Sequence, residues 1–145
     1  YLNTLVLSLT RCETRDLLIF NNEQLVGKFN VEIAITPYQL KKGLMYRNYL
    51  DETSGMLFVF EEIGEKIFWM KNTFISLDII FINDLGRILK IHKNTIPFSE
   101  KPLKGGKETK YVLEINSGLS KKYKILEGYQ VLHPIIQKKN LNECN

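Results

Sequence analysis

Several polar side chains that could do chemistry stand inside an otherwise apolar stretch, Lys66 to Ile82. This stretch contains the single tryptophan of the chain, Trp69, followed by Lys71 and Asn72, with Asp78 further along. An aromatic ring can cover an apolar or sugar surface, while the amide and the charged groups can form directional hydrogen bonds. A buried carboxylate needs a partner, because an isolated charge is very costly to remove from water.

Lys71 is the nearest cation to Asp78 in the sequence, and a hairpin through residues 74–76 would bring the two together. One interpretation is structural: the two side chains form an ion pair, or Lys71 extends to solvent. The other interpretation is a ligand site, since charged groups in apolar surroundings serve both purposes. Strand alternation predicts two faces here, one with Trp69, Lys71 and Thr73 and the other with Phe68, Met70 and Asn72.

Three further polar residues are candidates for the same site. Arg47 stands between two tyrosines, a setting that suits a cation stacked on aromatic rings. Glu114 and Asn116 lie in an apolar segment, on one side of a predicted strand. Because buried polar groups need partners, we expect these residues to converge near Trp69. The predicted ligand-binding or buried polar cluster comprises Arg47, Trp69, Lys71, Asn72, Asp78, Glu114 and Asn116.

The elements that would position these residues are mostly strands. Turn residues at 21–22 and 83–86 predict two hairpins. Apolar alternation in several strands requires a second layer to cover it. We therefore predict a mainly β fold, either a compact two-sheet sandwich or a closed barrel, with two short helices. Alternating or apolar segments predict strands at residues 17–20, 28–35, 55–60, 77–82, 87–92, 111–116 and 129–136.

The first helix has clear start and stop signals. Thr36 is a good N-cap, the proline after it suits the first helical position, and Gln39 completes a capping box. These residues predict a helix of about two turns from Pro37 to Lys42, closed by Gly43 in a left-handed conformation. A second short helix is predicted near Gly118 to Lys124.

Residues 93–110 form the longest predicted loop, and long loops in compact domains are often functional. A binding or accessory module would use this loop and the Trp69 to Asn72 face as a shallow site for a small molecule or a sugar. An alternative is a hydrolase with Asp78 and Glu114 as acid and base, one of them with a raised pKa. A third interpretation is that these residues only hold the fold together. We favour binding, because no nucleophile, metal set or phosphate cradle is recognisable.

The length and the net charge of the chain limit its expected domain organisation and its expected partners. The chain has 145 residues, which predicts a single domain at residues 15–136, preceded by a leader at 1–14 and followed by a polar tail at 137–145. The net charge of +4 is spread along the chain, which argues against nucleic acid as a partner. No apolar run approaches the roughly 20 residues that a membrane span needs.

Cysteine and histidine do not indicate a metal site. Cys12 and Cys144 lie near the two ends, outside the patterned core; a disulfide between them is compatible with the sequence, but two free thiols are favoured. His92 and His133 have no zinc-ligand spacing with each other or with the cysteines. We predict neither a metal nor a cofactor.

Five segments of the core resemble the bacterial and archaeal domain of unknown function 192 family in their order and spacing, over about residues 16–136. The resemblance implies a compact, mainly β domain of sandwich or barrel type, and it supplies no activity. The segments are Lys42 to Arg47, Gly55 to Phe60, Phe68 to Thr73, Leu77 to Ile82 and Tyr111 to Asn116.

The same resemblance has implications for the cellular location of the protein, and it shows three positions at which this chain differs from the usual family pattern. Many members of that family resemble exported proteins, and this chain starts without Met, so we expect a periplasmic or otherwise exported protein, with the cytoplasm as the alternative. Lys42 stands where the family usually has Arg. Lysine keeps the positive charge but cannot make the paired hydrogen bonds that an arginine guanidinium forms with a carboxylate or phosphate. Ser76 replaces the usual Pro, which loosens the turn before Asp78, and Tyr129 replaces the usual Asp.

Overall fold

A computed structural model describes residues 16–137 of the chain. The predictions for the leader, for Cys12 and Cys144, and for the tail beyond Gln137 lie outside these residues. No helix of the described part is long and apolar enough to cross a membrane. Its strands are β1 (Asp16–Asn21), β2 (Gln24–Ala34), β3 (Ser54–Val59), β4 (Ile67–Phe68), β5 (Leu77–Ile82), β6 (Ile88–His92), β7 (Leu103–Lys104), β8 (Tyr111–Asn116) and β9 (Gln130–Leu132), and its helices are α1 (Pro37–Lys42) and α2 (Leu119–Lys122).

Seven strands form one sheet in the order β6-β5-β8-β3-β2-β1-β9, and β4 and β7 form a separate two-stranded sheet. Neighbours in the large sheet are antiparallel, except for β2 and β3, which are parallel and are connected through α1. Its two edges meet where Arg87 pairs with Gln130 and the Val131 amide donates to the Gly86 carbonyl at 2.7 Å. The sheet is a nearly closed barrel, which confirms the predicted mainly β fold.

The predicted hairpins are present. Strands β1 and β2 pair through a turn at Asn22, which has a φ of 53°. In the turn between β5 and β6, the Asn83 side-chain oxygen accepts hydrogen bonds from the amides of Leu85 and Arg87, and Gly86 has a φ of 86°. Local turn chemistry therefore sets both connections.

The large sheet buries apolar side chains on both of its faces. Strand β5 is buried along its whole length, which explains why its sequence is nearly continuous in apolar residues. On this strand Ile80 and Ile82 belong to the cluster inside the barrel, while Ile79 and Phe81 belong to an outer cluster. The outer cluster packs against residues from α1 and from the two short strands, so these elements cover one outer face of the barrel.

Helix α1 forms as its capping signals predict. The Gln39 amide donates to the Thr36 hydroxyl at 3.2 Å, and the Gln39 side chain accepts from the Thr36 amide at 3.1 Å. Gly43 ends the helix at φ 49° and ψ −130°, so its φ is positive, but the conformation is not the left-handed helical one. With the Met45 amide bonded to the Lys42 carbonyl, these angles fit the first central position of a type II′ turn. Helix α2 is shorter than predicted.

The predicted strand alternation after Phe68 is wrong. Strand β4 ends at Phe68, and the chain then turns, with a hydrogen bond from the Thr73 amide to the Met70 carbonyl. Met70 and Thr73 are both buried, whereas Trp69 and Lys71 are exposed, so a period of two does not hold. The loop at 93–110 is also more regular than predicted, because β7 lies within it and pairs with β4.

Candidate functional site

A cleft of about 490 Å³ lies where α1 and the turn after it approach β4 over the outer face of the barrel. We call it the α1–β4 cleft. A volume of this size is within the range of small-molecule sites. Its lining residues are Leu40, Lys41, Lys42, Gly43, Leu44, Met45, Phe58, Phe60, Glu65, Lys66, Ile67, Phe68, Trp69, Thr73 and Glu114.

Aromatic rings form much of the wall of this cleft. Phe68 makes edge-to-face contacts with Phe58 and Phe60, at centroid distances of 5.0 and 6.1 Å, and with Phe81 behind them at 5.6 Å. Trp69 follows Phe68 and keeps 44% of its surface exposed. The wall therefore offers a firmly packed apolar surface with an exposed indole beside it.

Gly43 lies directly against the aromatic wall. A Cβ atom at this position would stand 2.9 Å from the Phe58 ring, and the backbone has a positive φ. Both observations require glycine there, because other residues would clash and would adopt a disfavoured conformation. The turn after α1 can consequently pass close to the ring and bound the cleft.

Glu114 places a buried carboxyl group in the cleft from strand β8. Its partners on the neighbouring strands are Met56 and Ile79, so apolar side chains flank it on both sides. The residue is 5% exposed, and its carboxyl forms no hydrogen bond or ion pair with residues 16–137. This burial raises the pKa of Glu114 from an ordinary 4.5 to about 8, because water is removed from the charged form.

Asp78 lies on the other face of the sheet. Ile79 is the β5 residue opposite Glu114, whereas Asp78 stands opposite Ile115, and alternate residues of a strand point to opposite faces. The fully buried Asp78 carboxylate accepts hydrogen bonds from the amides of Asn94 at 2.9 Å, Ser120 at 2.9 Å and Gly118 at 3.4 Å. Asp78 therefore tethers α2 and the loop after β6, and the predicted acid and base pair with Glu114 does not form.

Lys71 and Asn72 follow Trp69 in the chain, and Lys71 does not have the partner that was predicted for it. The Lys71 ammonium is 5.0 Å from the centroid of the Trp69 ring and 3.8 Å from a Glu100 carboxylate oxygen, so it does not pair with Asp78. The Asn72 side-chain amide donates to the Tyr46 hydroxyl at 2.9 Å. Neither residue lines the α1–β4 cleft.

The remaining two predicted residues are also outside the cleft. Arg47 makes a bidentate pair with Glu32, at 2.5 and 3.1 Å, in place of the predicted stacking on tyrosine rings. This hydrogen bonding raises the pKa of Arg47 above its ordinary value. Asn116 donates from its side chain to the Leu50 carbonyl. Of the seven predicted residues, the structure brings only Trp69 and Glu114 to one cleft.

Sequence reasoning missed most of the cleft wall, including Phe58, Phe60 and the lysines of α1. Phe58 and Phe60 stand at alternate positions, at the end of β3 and just beyond it, and Gly43 ends a well-capped helix, but no local pattern shows that these elements meet. None of residues 93–110 lines this cleft, and a site on that loop stays a prediction. Within the described part of the chain, no group of three His, Cys, Asp or Glu side chains could hold a metal ion.

Comparison with known proteins identifies the family of this barrel. The model of the domain of unknown function 192, described as "Uncharacterized ACR", matches residues 18–133. The chain belongs to this family. This member of the family folds as a nearly closed barrel. The description of the family gives no activity.

Two solved structures extend this comparison. A protein of unknown function from Novosphingobium aromaticivorans DSM 12444 is 36% identical, with 81% of this chain and 83% of that chain covered and a TM-score of 0.77. A proposed transcription regulator from Sinorhizobium meliloti 1021 is 35% identical, with 81% and 91% covered and the same TM-score. No curated protein matches the chain. The similarity therefore supports the fold of this domain of unknown function 192 member without supplying an activity.

Proposed function

We propose that this chain is a small-molecule binding module whose site is the α1–β4 cleft. The observation that supports the proposal most directly is the Glu114 carboxyl, which is buried on an apolar floor and has no partner within residues 16–137. Native structures rarely leave a largely buried carboxyl without a hydrogen-bond partner, and the cleft is the side from which a partner could reach the Glu114 oxygens. A bound ligand would supply the missing partner.

The aromatic wall supports the same function. A cleft with packed rings and a few polar groups, one of them a buried carboxyl, has the usual composition of a small-molecule site, in which apolar surface provides affinity and the polar groups fix orientation. This proposed site retains Trp69 and Glu114 from the sequence-based prediction. It replaces the 93–110 loop with α1, the turn at Gly43 and β4.

The geometry favours binding over the hydrolase alternative. General acid and base catalysis by two carboxyl groups requires both to reach the same substrate. Glu114 faces the cleft, while Asp78 faces the other side of the sheet and is bonded to three backbone amides. We therefore do not propose that the two act together.

A ligand screen tests the proposed function. Trp69 is the only tryptophan and lines the cleft, so its fluorescence reports on occupancy, while thermal shift reports stabilisation by a ligand that binds only the folded state. We expect a compound from sugar, peptide, nucleotide and metabolite panels to change both signals in the wild type. Phe60→Ala, in the wall, should lose the response.

Phe98→Ala is the matched control, because it removes the same ring from an exposed position outside the cleft. Both variants are first checked for cooperative unfolding. The proposal is contradicted if no compound shifts the wild type, or if the two variants respond to the compound equally. In the first case, the interpretation that Glu114 and its neighbours serve only the fold would be favoured.

A further inference from the structure

The charges around the α1–β4 cleft indicate what kind of molecule it would accept. Lys41 and Lys42, in the last turn of α1, line one side, and Lys66 lines the other. None of these three ammonium groups forms an ion pair with a carboxylate in residues 16–137. The one acidic residue in the rim, Glu65, is neutralised by Lys104 at 3.4 Å. The rim consequently carries an excess of positive charge.

The floor of the cleft has a different character. Glu114 is buried there, and the other titratable groups that line the same cleft, from α1 and from the segment before β4, are Lys41, Lys42, Glu65 and Lys66. With a pKa of about 8, its carboxyl is protonated at neutral pH and presents an O–H donor. A hydrogen-bond acceptor on the ligand, such as a carbonyl oxygen, satisfies that donor without burying a charge.

From this arrangement we infer that the α1–β4 cleft binds organic anions that have an apolar, ring-sized body, an acidic group at one end and an oxygen acceptor at the other. The acidic group lies at the lysine rim, the body packs on the rings of Phe58, Phe60 and Phe68, and the acceptor receives the hydrogen bond from Glu114. This inference rests on the proposed function and names the ligand class for the same site.

A cationic ligand of the same size fits less well. Its ammonium group would meet three lysines at the rim, where like charges repel. If the ammonium entered the cleft head first, Glu114 would have to lose its proton among apolar side chains before it could pair with the cation. The two ends of the cleft therefore both favour an acid over an amine.

Three matched probes test the inference: 4-acetylbenzoate, 4-ethylbenzoate, which lacks the ketone oxygen, and 4-acetylbenzylamine, which replaces the carboxylate by an ammonium group. Dissociation constants are measured by NMR titration of the Met45 methyl signal, because Met45 lines the cleft. At pH 6.5 we expect 4-acetylbenzoate to bind about 3- to 10-fold more tightly than 4-ethylbenzoate, the range of one neutral hydrogen bond. The amine should give no saturable shift.

Two variants connect the binding to the named groups. At pH 9, where Glu114 is ionised, 4-acetylbenzoate should bind the wild type at least about 5-fold more weakly, whereas Glu114→Gln, which keeps an N–H donor, should bind equally at both pH values. The double variant Lys41→Gln/Lys42→Gln should weaken both benzoates by a similar factor. Lys121→Gln/Lys122→Gln, the equivalent pair on α2 and outside the cleft, is the control.

The possible failures are distinguishable. Tighter binding of the amine than of the benzoates would overturn the ligand class and leave a binding cleft in place. The same conclusion would follow if no probe shifts Met45 while a compound from the wider panel binds in the cleft. If neither the probes nor any panel compound binds, both the ligand class and the proposed function are overturned.

Discussion

Asp78 and Glu114, the two buried acidic residues of the described range 16–137, show how nearby residues in one sheet acquire different roles. Asp78 accepts hydrogen bonds from three backbone amides, which compensate for its lost hydration. Glu114 lies between Met56 and Ile79 and has no such donors in the described part of the chain. Burial acts on both residues, but only the Glu114 carboxyl faces the cleft without a donor, and burial raises its pKa to about 8.

The raised pKa of Glu114 predicts a pH-dependent stability. The folded state holds this proton up to a pH of about 8, whereas the unfolded chain releases it near 4.5, so the folded state binds more protons between these values. Stability from this group is fully present below pH 4.5 and is lost as pH rises to about 8. Relative to the wild type, Glu114→Gln should gain on the order of 5 kcal/mol in unfolding free energy across this window.

Urea denaturation of both proteins at a series of pH values from 4 to 9 measures this difference. The pairwise comparison cancels the contributions of the other titrating groups, which the two proteins share. A difference between variant and wild type that stays constant over the whole pH range would show that Glu114 titrates normally.

At the scale of elements, the cleft depends on a short helix that could not be stable alone. Helix α1 has six residues, and isolated helices of this length are marginal in water. Its capping box with Thr36 and Gln39 stabilises the start, and the close approach of Gly43 to Phe58 fixes the end against the barrel. The position of the helix, and with it the shape of the cleft, follows from these two ends.

Gly43→Ala should therefore destabilise the protein by about 2 to 4 kcal/mol. The new methyl group combines a clash with Phe58 at 2.9 Å and a backbone conformation with positive φ that only glycine adopts easily. The control is Gly128→Ala, where φ is 87° and a Cβ would meet nothing within 4 Å, so only the conformational cost of about 1 kcal/mol remains. Thermal and urea unfolding measure both values, and equal losses would refute the role assigned to the Phe58 contact.

For the molecule as a whole, the barrel is closed by a short seam between β9 and the start of β6. The Gly128 amide donates to the Ile88 carbonyl at 2.7 Å, and the Ile88 amide donates to the Tyr129 carbonyl at 3.0 Å. The Gln130 side chain adds a bond to the Leu85 carbonyl at 2.8 Å. These bonds cover part of the two sheet edges that could otherwise pair with another chain, so this seam matters for more than stability.

Gly86→Ala should open that seam. A Cβ at this position would stand 2.5 Å from both the Gln130 side chain and the Val131 carbonyl, and φ is 86°. We expect a loss of about 3 kcal/mol and a preferential loss of hydrogen-exchange protection at the amides of Ile88, Gly128 and Val131.

Hydrogen exchange followed by NMR makes this measurement, with Gly106→Ala as the control, since Gly106 also has a positive φ but open space around it. The strand pair β3 and β8, far from the seam in the sheet order, serves as an internal reference. Uniform loss of protection across β3, β8 and the seam would mean that the barrel opens only by global unfolding.

The sequence by itself determined the features that depend on neighbouring residues. Helix α1 has its predicted bounds because its N-cap, proline and glycine act within a few residues of one another. Most core strands and the two hairpins follow from periodicity and turn residues in the same way, whereas the strand predicted at 129–136 is reduced to the three residues of β9. The family could be inferred from the order of five motifs. The expected export to the periplasm stays a prediction.

The tertiary structure decided which of the candidate residues meet. The pairing of β5 with β8 places Asp78 and Glu114 on opposite faces, and a shift of one residue in that register would have placed them together. Lys71 contacts Glu100 rather than Asp78 because the chain turns after Phe68, and Gly43 reaches Phe58 only through the packing of α1 on the barrel. Contacts between residues distant in sequence depend on packing and register, and local patterns of residue type do not contain that information.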